Sequence, residues 1–263
     1  MQTLIFSVLT LSILGFLFGI GLAYAIKIFS MQVDPKIKEI LSYLPGSNCG
    51  ACGSAGCFAL AEAISQGKAK PTACAPGGEK AHKDIAALLG VEVETKTKQV
   101  ATVLCGGGKK AAEQYIYQGV KTCTAANMLH GGQKLCPYAC LGFGDCVKVC
   151  PFDALAMGPE ELPIVNDQKC TSCGYCVKEC PKHIIILMPL KSTVSVACFS
   201  RDKGPVVMKA CKAGCIGCKQ CEKACKFDAI HVTNNLAVID FLKCTNCLAC
   251  VAVCPTKCIT AKK

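Results

Sequence analysis

The alternation of apolar and polar positions divides the chain into three regimes. Leu4 to Ile26 is apolar or small throughout and carries no charge, long enough to cross a bilayer as one helix. Phe58 to Ser65 then places Phe58, Ala61, Ala63 and Ile64 at the spacing of a short helix. Glu79 to Gly90 predicts a second one, and the charged, Thr-rich Glu92 to Gln99 a linker or edge strand. From about Val100 onward, short apolar runs alternate with loops, and Ile164–Asn166 and Ala237–Ile239 predict brief extended stretches. The expected class is α+β: a transmembrane helix over 1–28, a small domain over 29–90, and two repeated modules over 91–190 and 191–263.

The repeat is explicit. Ala139 to Leu155 (ACLGFGDCVKVCPFDAL) aligns without gaps on Gly214 to Ile230 (GCIGCKQCEKACKFDAI). Cys140, Cys146 and Cys150 fall on Cys215, Cys221 and Cys225, Cys136 falls on Cys211, and Phe143 stands where the second copy has Cys218. The upstream flanks, VATVLC ending at Cys105 and VSVAC ending at Cys198, correspond as well. Such internal self-similarity marks a duplicated structural unit.

Cysteine decides the chemistry. There are 25 in 263 residues, a density shared by disulfide scaffolds and metal proteins. Disulfide scaffolds are short secreted chains, whereas here the thiols cluster two or three residues apart and their number is odd. Metal ligation in a reducing compartment follows. The formal charge of +11 counts every thiol as neutral, whereas metal-ligating thiols are thiolates that offset much of it. With no Trp and 6% aromatic residues, base stacking has little support, and no nucleic-acid partner is expected. No P-loop or dinucleotide fingerprint occurs, so no bound nucleotide is expected either. His82, His130, His183 and His231 lack a second ligand at metal spacing.

Two quartets read C-x2-C-x2-C-x3-C-P: Cys170, Cys173, Cys176, Cys180 and Cys244, Cys247, Cys250, Cys254. A third, Cys215, Cys218, Cys221, Cys225, has Lys226 in place of Pro, and a fourth, Cys136, Cys140, Cys146, Cys150, is spaced irregularly. This is the bacterial ferredoxin run, whose fourth Cys ligates the other cluster. Exchange of fourth ligands gives Cys136, Cys140, Cys146 and Cys180 for one cubane, and Cys170, Cys173, Cys176 and Cys150 for its neighbour. The second module gives Cys215, Cys218, Cys221 and Cys254, then Cys244, Cys247, Cys250 and Cys225. Zinc knuckles are spaced differently. The N-terminal set, Cys49, Cys52, Cys57 and Cys74, has its own spacing among Gly46, Gly50, Gly53 and Gly56; zinc is the alternative there. Five [4Fe–4S] clusters thus account for twenty cysteines. Cys258 reads as packing, and Cys105, Cys123, Cys198 and Cys211 stand as either core thiols or a sixth site between the modules.

Two readings stand for the apolar run. Ala23-Tyr24-Ala25 resembles a signal-peptide cleavage site, but Met1-Gln2-Thr3 offers no positive side chain. The anchor reading is adopted, with Gly15 and Gly19 forming a GxxxG helix-packing face. Lys27, Lys36 and Lys38 follow it, which places the remainder in the cytoplasm.

The layout, from anchor through the Pro45–Gly78 segment, GVKTCTAANMLHGG (Gly119–Gly132) and the later quartets to GCIGCKQCEKACKFDAIHVTNNLAVID, resembles the B subunit of Rnf complexes in its longer, cluster-rich form. The resemblance implies an electron-transfer component of an inner-membrane, ion-translocating ferredoxin:NAD⁺ oxidoreductase. Its implied partners are soluble ferredoxin, the other subunits and membrane lipid. No side chain is expected to make or break bonds in catalysis. A stand-alone membrane polyferredoxin and an iron–sulfur scaffold are the rival readings.

Overall fold

A computed structural model describes residues 2–29, 34–92 and 97–262. It separates into two compact units, Met1–Glu39 and Ile40–Lys263. The first is dominated by α1 (Gln2–Phe29), which turns large apolar side chains such as Phe6, Leu11 and Phe16 outward on all sides. So broad an exposed apolar surface marks a membrane-contact or protein-contact surface. Among the described residues, α1 is the one helix long and apolar enough to cross a membrane. Its Thr10 hydroxyl donates back to the Phe6 carbonyl at 2.9 Å, satisfying itself within the helix.

α2 (Pro35–Tyr43) leads into the second unit, where Ile40 is fully buried. Apolar faces then build α3 (Cys57–Ser65), which buries Leu60, Ala61 and Ile64, and α4 (Gly78–Leu89), which buries Ala81 and Ile85. α4 stops at Gly90, whose left-handed φ of 66° turns the chain so that Val91 donates to the Ala86 carbonyl at 3.0 Å. Residues 93–96 of the expected linker lie outside the described residues.

The rest is two copies of one plan. The first runs β1 (Gln99–Val103), α5 (Cys123–Met128), α6 (Asp145–Lys148), β2 (Leu155–Met157), β3 (Pro163–Val165), α7 (Tyr175–Glu179), β4 (Ile185–Pro189). The second runs β5 (Val194–Val196), α8 (Gly204–Ala210), α9 (Gln220–Ala224), β6 (Ile230–Thr233), β7 (Leu236–Ile239), α10 (Ala249–Ala252), β8 (Ile259–Ala261). In each, the outer strands pair antiparallel (Ala101 opposite Leu187, Ser195 opposite Thr260) and a hairpin, β2–β3 or β6–β7, lies between. Each copy has its own core. Val100, Leu155, Ile184 and Ile185 fill the first, and Val194, Ile230, Leu236 and Ile259 the second, with thiols completing both. Sheets this small bury little apolar surface by themselves, so the sulfur-lined sites form a large share of what the strands pack against.

Candidate iron–sulfur cluster sites

The three regular Cys loops share a backbone rule. Two left-handed residues flank the middle Cys: Ser172 and Gly174, Gly217 and Lys219, Asn246 and Leu248. Alternating right- and left-handed residues turn successive N–H groups into one concavity, a nest for an anion. Leu248 holds φ 63° without glycine's freedom, a strain that survives only where the surrounding loop dictates it. A further left-handed residue stands three positions after each fourth Cys, at Asp153, His183, Asp228 and Lys257. That turn aims the N–H of Ala154 at Cys150 Sγ and of Ala229 at Cys225 Sγ, both at 3.4 Å.

The loops place their thiols around cavities. Cys150, Cys170, Cys173 and Cys176 line one of about 300 Å³. Cys215, Cys218, Cys221 and Cys254 line a second of about 300 Å³, and Cys225, Cys244, Cys247 and Cys250 a third of about 350 Å³. These are the groupings that fourth-ligand exchange calls for. At the N-terminal site, the charges of Cys57, Cys52 and Cys49 act on Cys74, which puts the four thiols in one neighbourhood. Asn48 supports this loop by accepting the Cys57 N–H at 2.8 Å. The Tyr175 hydroxyl donates to the Cys49 carbonyl, which sets the N-terminal site against α7, the helix carrying Cys176.

One grouping differs from the expected one. Cys136 does not join Cys140, Cys146 and Cys180; Cys123 does, in a cavity of about 410 Å³. The irregular loop keeps the same backbone rule, with left-handed Gly142 and Gly144 around position 143, but Phe143 occupies the place of the middle Cys. The insertion containing α5 brings Cys123 to that loop, where the backbone N–H groups of Phe143, Gly144 and Asp145 face its sulfur. Cys136 instead shares a cavity with Cys105, Cys198 and Cys211, so the sixth group expected with Cys123 contains Cys136 in its place.

Asp145 is a positioning residue that the spacing did not reveal. Its buried carboxylate accepts the N–H groups of Cys123 (2.7 Å) and Thr124 (3.2 Å), capping α5 and fixing the incoming thiol. Asp145→Ala leaves both donors unpaired, at about 1–3 kcal/mol each. The variant is expected to lose occupancy of this site, read as iron per chain, while every thiol remains; full iron content would remove Asp145 from the role.

Burial pushes Cys140 and Cys146 up to about 12 and Cys74, Cys136, Cys176 and Cys221 up to about 11. Metal-free, these thiols hold their protons at neutral pH, so iron binding displaces protons and is favoured by rising pH. Among the described residues no three His, Cys, Asp or Glu side chains converge closely enough for a single metal ion. Four soft sulfur donors around a cavity suit a [4Fe–4S] core better than one zinc.

Cys258 is more than packing. It is 2% exposed, its sulfur is 3.6 Å from Cys254 Sγ, and beside Cys215 it holds that thiol below the ordinary range while Cys258 itself is driven up and stays protonated. A thiol donating to ligand sulfurs favours the more negative, reduced state. Cys258→Ala is expected to lower the potential of this site by tens of millivolts with iron content unchanged, followed by EPR-monitored redox titration. An unmoved potential would return Cys258 to simple packing.

A family model for an Fe–S cluster matches residues 44–76, and 4Fe-4S dicluster domain models match 135–195 and 214–258. Cys105, Cys123, Cys198 and Cys211 fall outside all three. Over 98% of both chains, this protein is 47% identical to the B subunit of the ion-translocating oxidoreductase complex of Methanosarcina acetivorans. It is 44% identical to the B subunit of the Na⁺-translocating ferredoxin:NAD⁺ oxidoreductase complex of Acetobacterium woodii, over 95% of this chain and 75% of the relative. The proton-translocating counterpart of Clostridium ljungdahlii is 45% identical over 99% of this chain and 93% of the relative. Likeness of this extent, with iron–sulfur models in the same order as the thiol sites, shows that the chain belongs to the B-subunit family of ion-translocating oxidoreductase (Rnf) complexes, as an electron-transfer component.

Proposed function

We propose that this chain accepts electrons from reduced ferredoxin and relays them to the other subunits of a membrane complex that reduces NAD⁺ and moves an ion. When bound, [4Fe–4S] clusters supply one-electron redox chemistry. The chain's own residues hold them, surround them with N–H donors and exclude water. Five sites carry the reading: Cys49, Cys52, Cys57, Cys74; Cys150, Cys170, Cys173, Cys176; Cys123, Cys140, Cys146, Cys180; Cys215, Cys218, Cys221, Cys254; and Cys225, Cys244, Cys247, Cys250.

The adjacency of these sites is the observation that favours a relay over a store of separate clusters. Tyr175 ties the N-terminal site to the site of Cys176, and Cys146 lies among Cys123, Cys180 and Cys176, between two sites. α1 serves as the membrane anchor, and Lys27 in its last turn, with Lys36 and Lys38 in α2, holds the thiol-bearing unit on the cytoplasmic side of the inner membrane. The test is anaerobic extraction in mild detergent, followed by reduction with ferredoxin. Co-purification with other subunits, and EPR signals of reduced cubanes appearing on addition of reduced ferredoxin, are expected. A chain that extracts alone, or one that ferredoxin does not reduce, would sink this reading.

A further inference from the structure

We propose that Cys105, Cys136, Cys198 and Cys211 form a sixth [4Fe–4S] site, shared between the two modules. The inference rests on the cubane reading of the other five.

The four thiols line one cavity of about 340 Å³, within the range of about 300 to 410 Å³ found at the sites whose spacing already marks them. Cys198, Cys105 and Cys211 are the charges that act on Cys136, so the sulfurs stand close together. Two come from the first module and two from the second. They are two repeat-related pairs, Cys105 with Cys198 and Cys136 with Cys211, so each module contributes the same two positions.

Buried core thiols need neither donors nor open space, yet this set has both. The N–H of Tyr138 faces Cys136, that of Ser200 faces Cys198, and that of Ala213 faces Cys211. Each donor lies two residues after its Cys. The same offset recurs in the recognised loops, with Gly142 on Cys140, Tyr175 on Cys173 and Gly217 on Cys215. The Cys140 N–H also points at Cys105 Sγ, at 3.5 Å.

The surrounding backbone is built for the approach. A Cβ at Gly107 would stand 3.2 Å from Cys211 Sγ and 3.6 Å from Cys105 Sγ, so the missing side chain keeps the room between two sulfurs free. Hydrogen bonds across the modules flank the site, from Gly106 to the Ala197 carbonyl (2.7 Å) and from Ala112 to the Ala210 carbonyl (2.8 Å). The site also neighbours both modules' own thiols: Cys105 acts on Cys140, and Cys215 acts on Cys198.

The test uses the full chain, purified anaerobically, with iron, acid-labile sulfide and EPR spin count as readouts. Wild type is expected to hold about 24 irons, and Cys136→Ala and Cys123→Ala about 20 each. The double variant is expected to hold about 16, because the two cysteines serve different sites; one shared site would leave the double at the level of the singles. Wild type at about 20 irons with Cys136→Ala unchanged overturns the sixth site and leaves the other five standing. Zinc in place of iron overturns the cubane reading itself, and the sixth site with it. Where a variant fails to fold, the wild-type count alone decides, about 24 supporting the site and about 20 overturning it.

Discussion

Cys123→Ala is expected to strip one entire cubane, about four irons per chain, and adding Phe143→Cys to the same chain is expected to restore it. The first half follows from the cavity that Cys123 shares with Cys140, Cys146 and Cys180. The second follows from the backbone. Gly142 and Gly144 carry φ of 82° and 76°, as Gly217 and Lys219 do (67° and 59°) around Cys218. The loop is therefore already shaped for a ligand at its centre, and α5 brings in a thiol from elsewhere because position 143 offers none. Phe143 also packs on Tyr117, with ring centroids 5.6 Å apart, so the rescued chain is expected to be somewhat less stable while regaining iron and its EPR signal. An iron content that stays low in the double variant, with secondary structure intact, would refute the equivalence of the two loops.

Gly108→Ala is expected to have the largest effect of any single methyl group added to the chain. Gly108 has φ 45°, and a Cβ there would lie 2.0 Å from the Glu160 carbonyl oxygen, a backbone atom with no rotamer by which to move away. That oxygen also accepts the Lys109 N–H at 3.2 Å, so displacing it costs a hydrogen bond as well. A loss of roughly 2–4 kcal/mol follows from the clash and the left-handed strain together. Gly67→Ala provides the comparison: φ is 70° but nothing stands within 4 Å, so only the conformational penalty, about 1–2 kcal/mol, applies. Loss of visible absorbance on warming is the measurement, since cluster release makes unfolding irreversible and the rate is the meaningful quantity. Equal bleaching rates for the two variants would show that the Glu160 contact yields easily.

The regular quartets were legible because their ligands are local. Cys170, Cys173 and Cys176 are held by one short loop, and spacing alone brings their sulfurs together. The ferredoxin rule also anticipated that Cys150 shares a cavity with Cys170, Cys173 and Cys176, and Cys254 one with Cys215, Cys218 and Cys221. The helices over Phe58–Ser65 and Glu79–Gly90 were also visible, each through an apolar face, and α1 through the absence of charge.

Cys123 and Cys136 were not legible in this way. Each reaches its site through a long intervening segment. The cost of closing such a loop rises only slowly with its length, so sequence distance says little about which thiol it delivers. The alignment of Cys136 with Cys211 hinted at a shared fate for the two, while Phe143 in place of a Cys hinted that a substitute must come from elsewhere. Neither hint named the destination. Asp145 was silent for the same reason, because its role depends on where α5 docks.

The sequence by itself determined the chemistry of this protein: thiolate ligands, their local loops, the duplication and the membrane-length apolar run. All of these follow from residue type at short spacing, where covalent geometry leaves the chain few choices. Only the tertiary structure brings Cys123 into the cavity lined by Cys140, Cys146 and Cys180, and Cys136 in place of Cys123 beside Cys105, Cys198 and Cys211. Those pairings are set by the packing of whole modules through backbone contacts such as Ala112 to Ala210, and no local pattern of residues encodes such a contact.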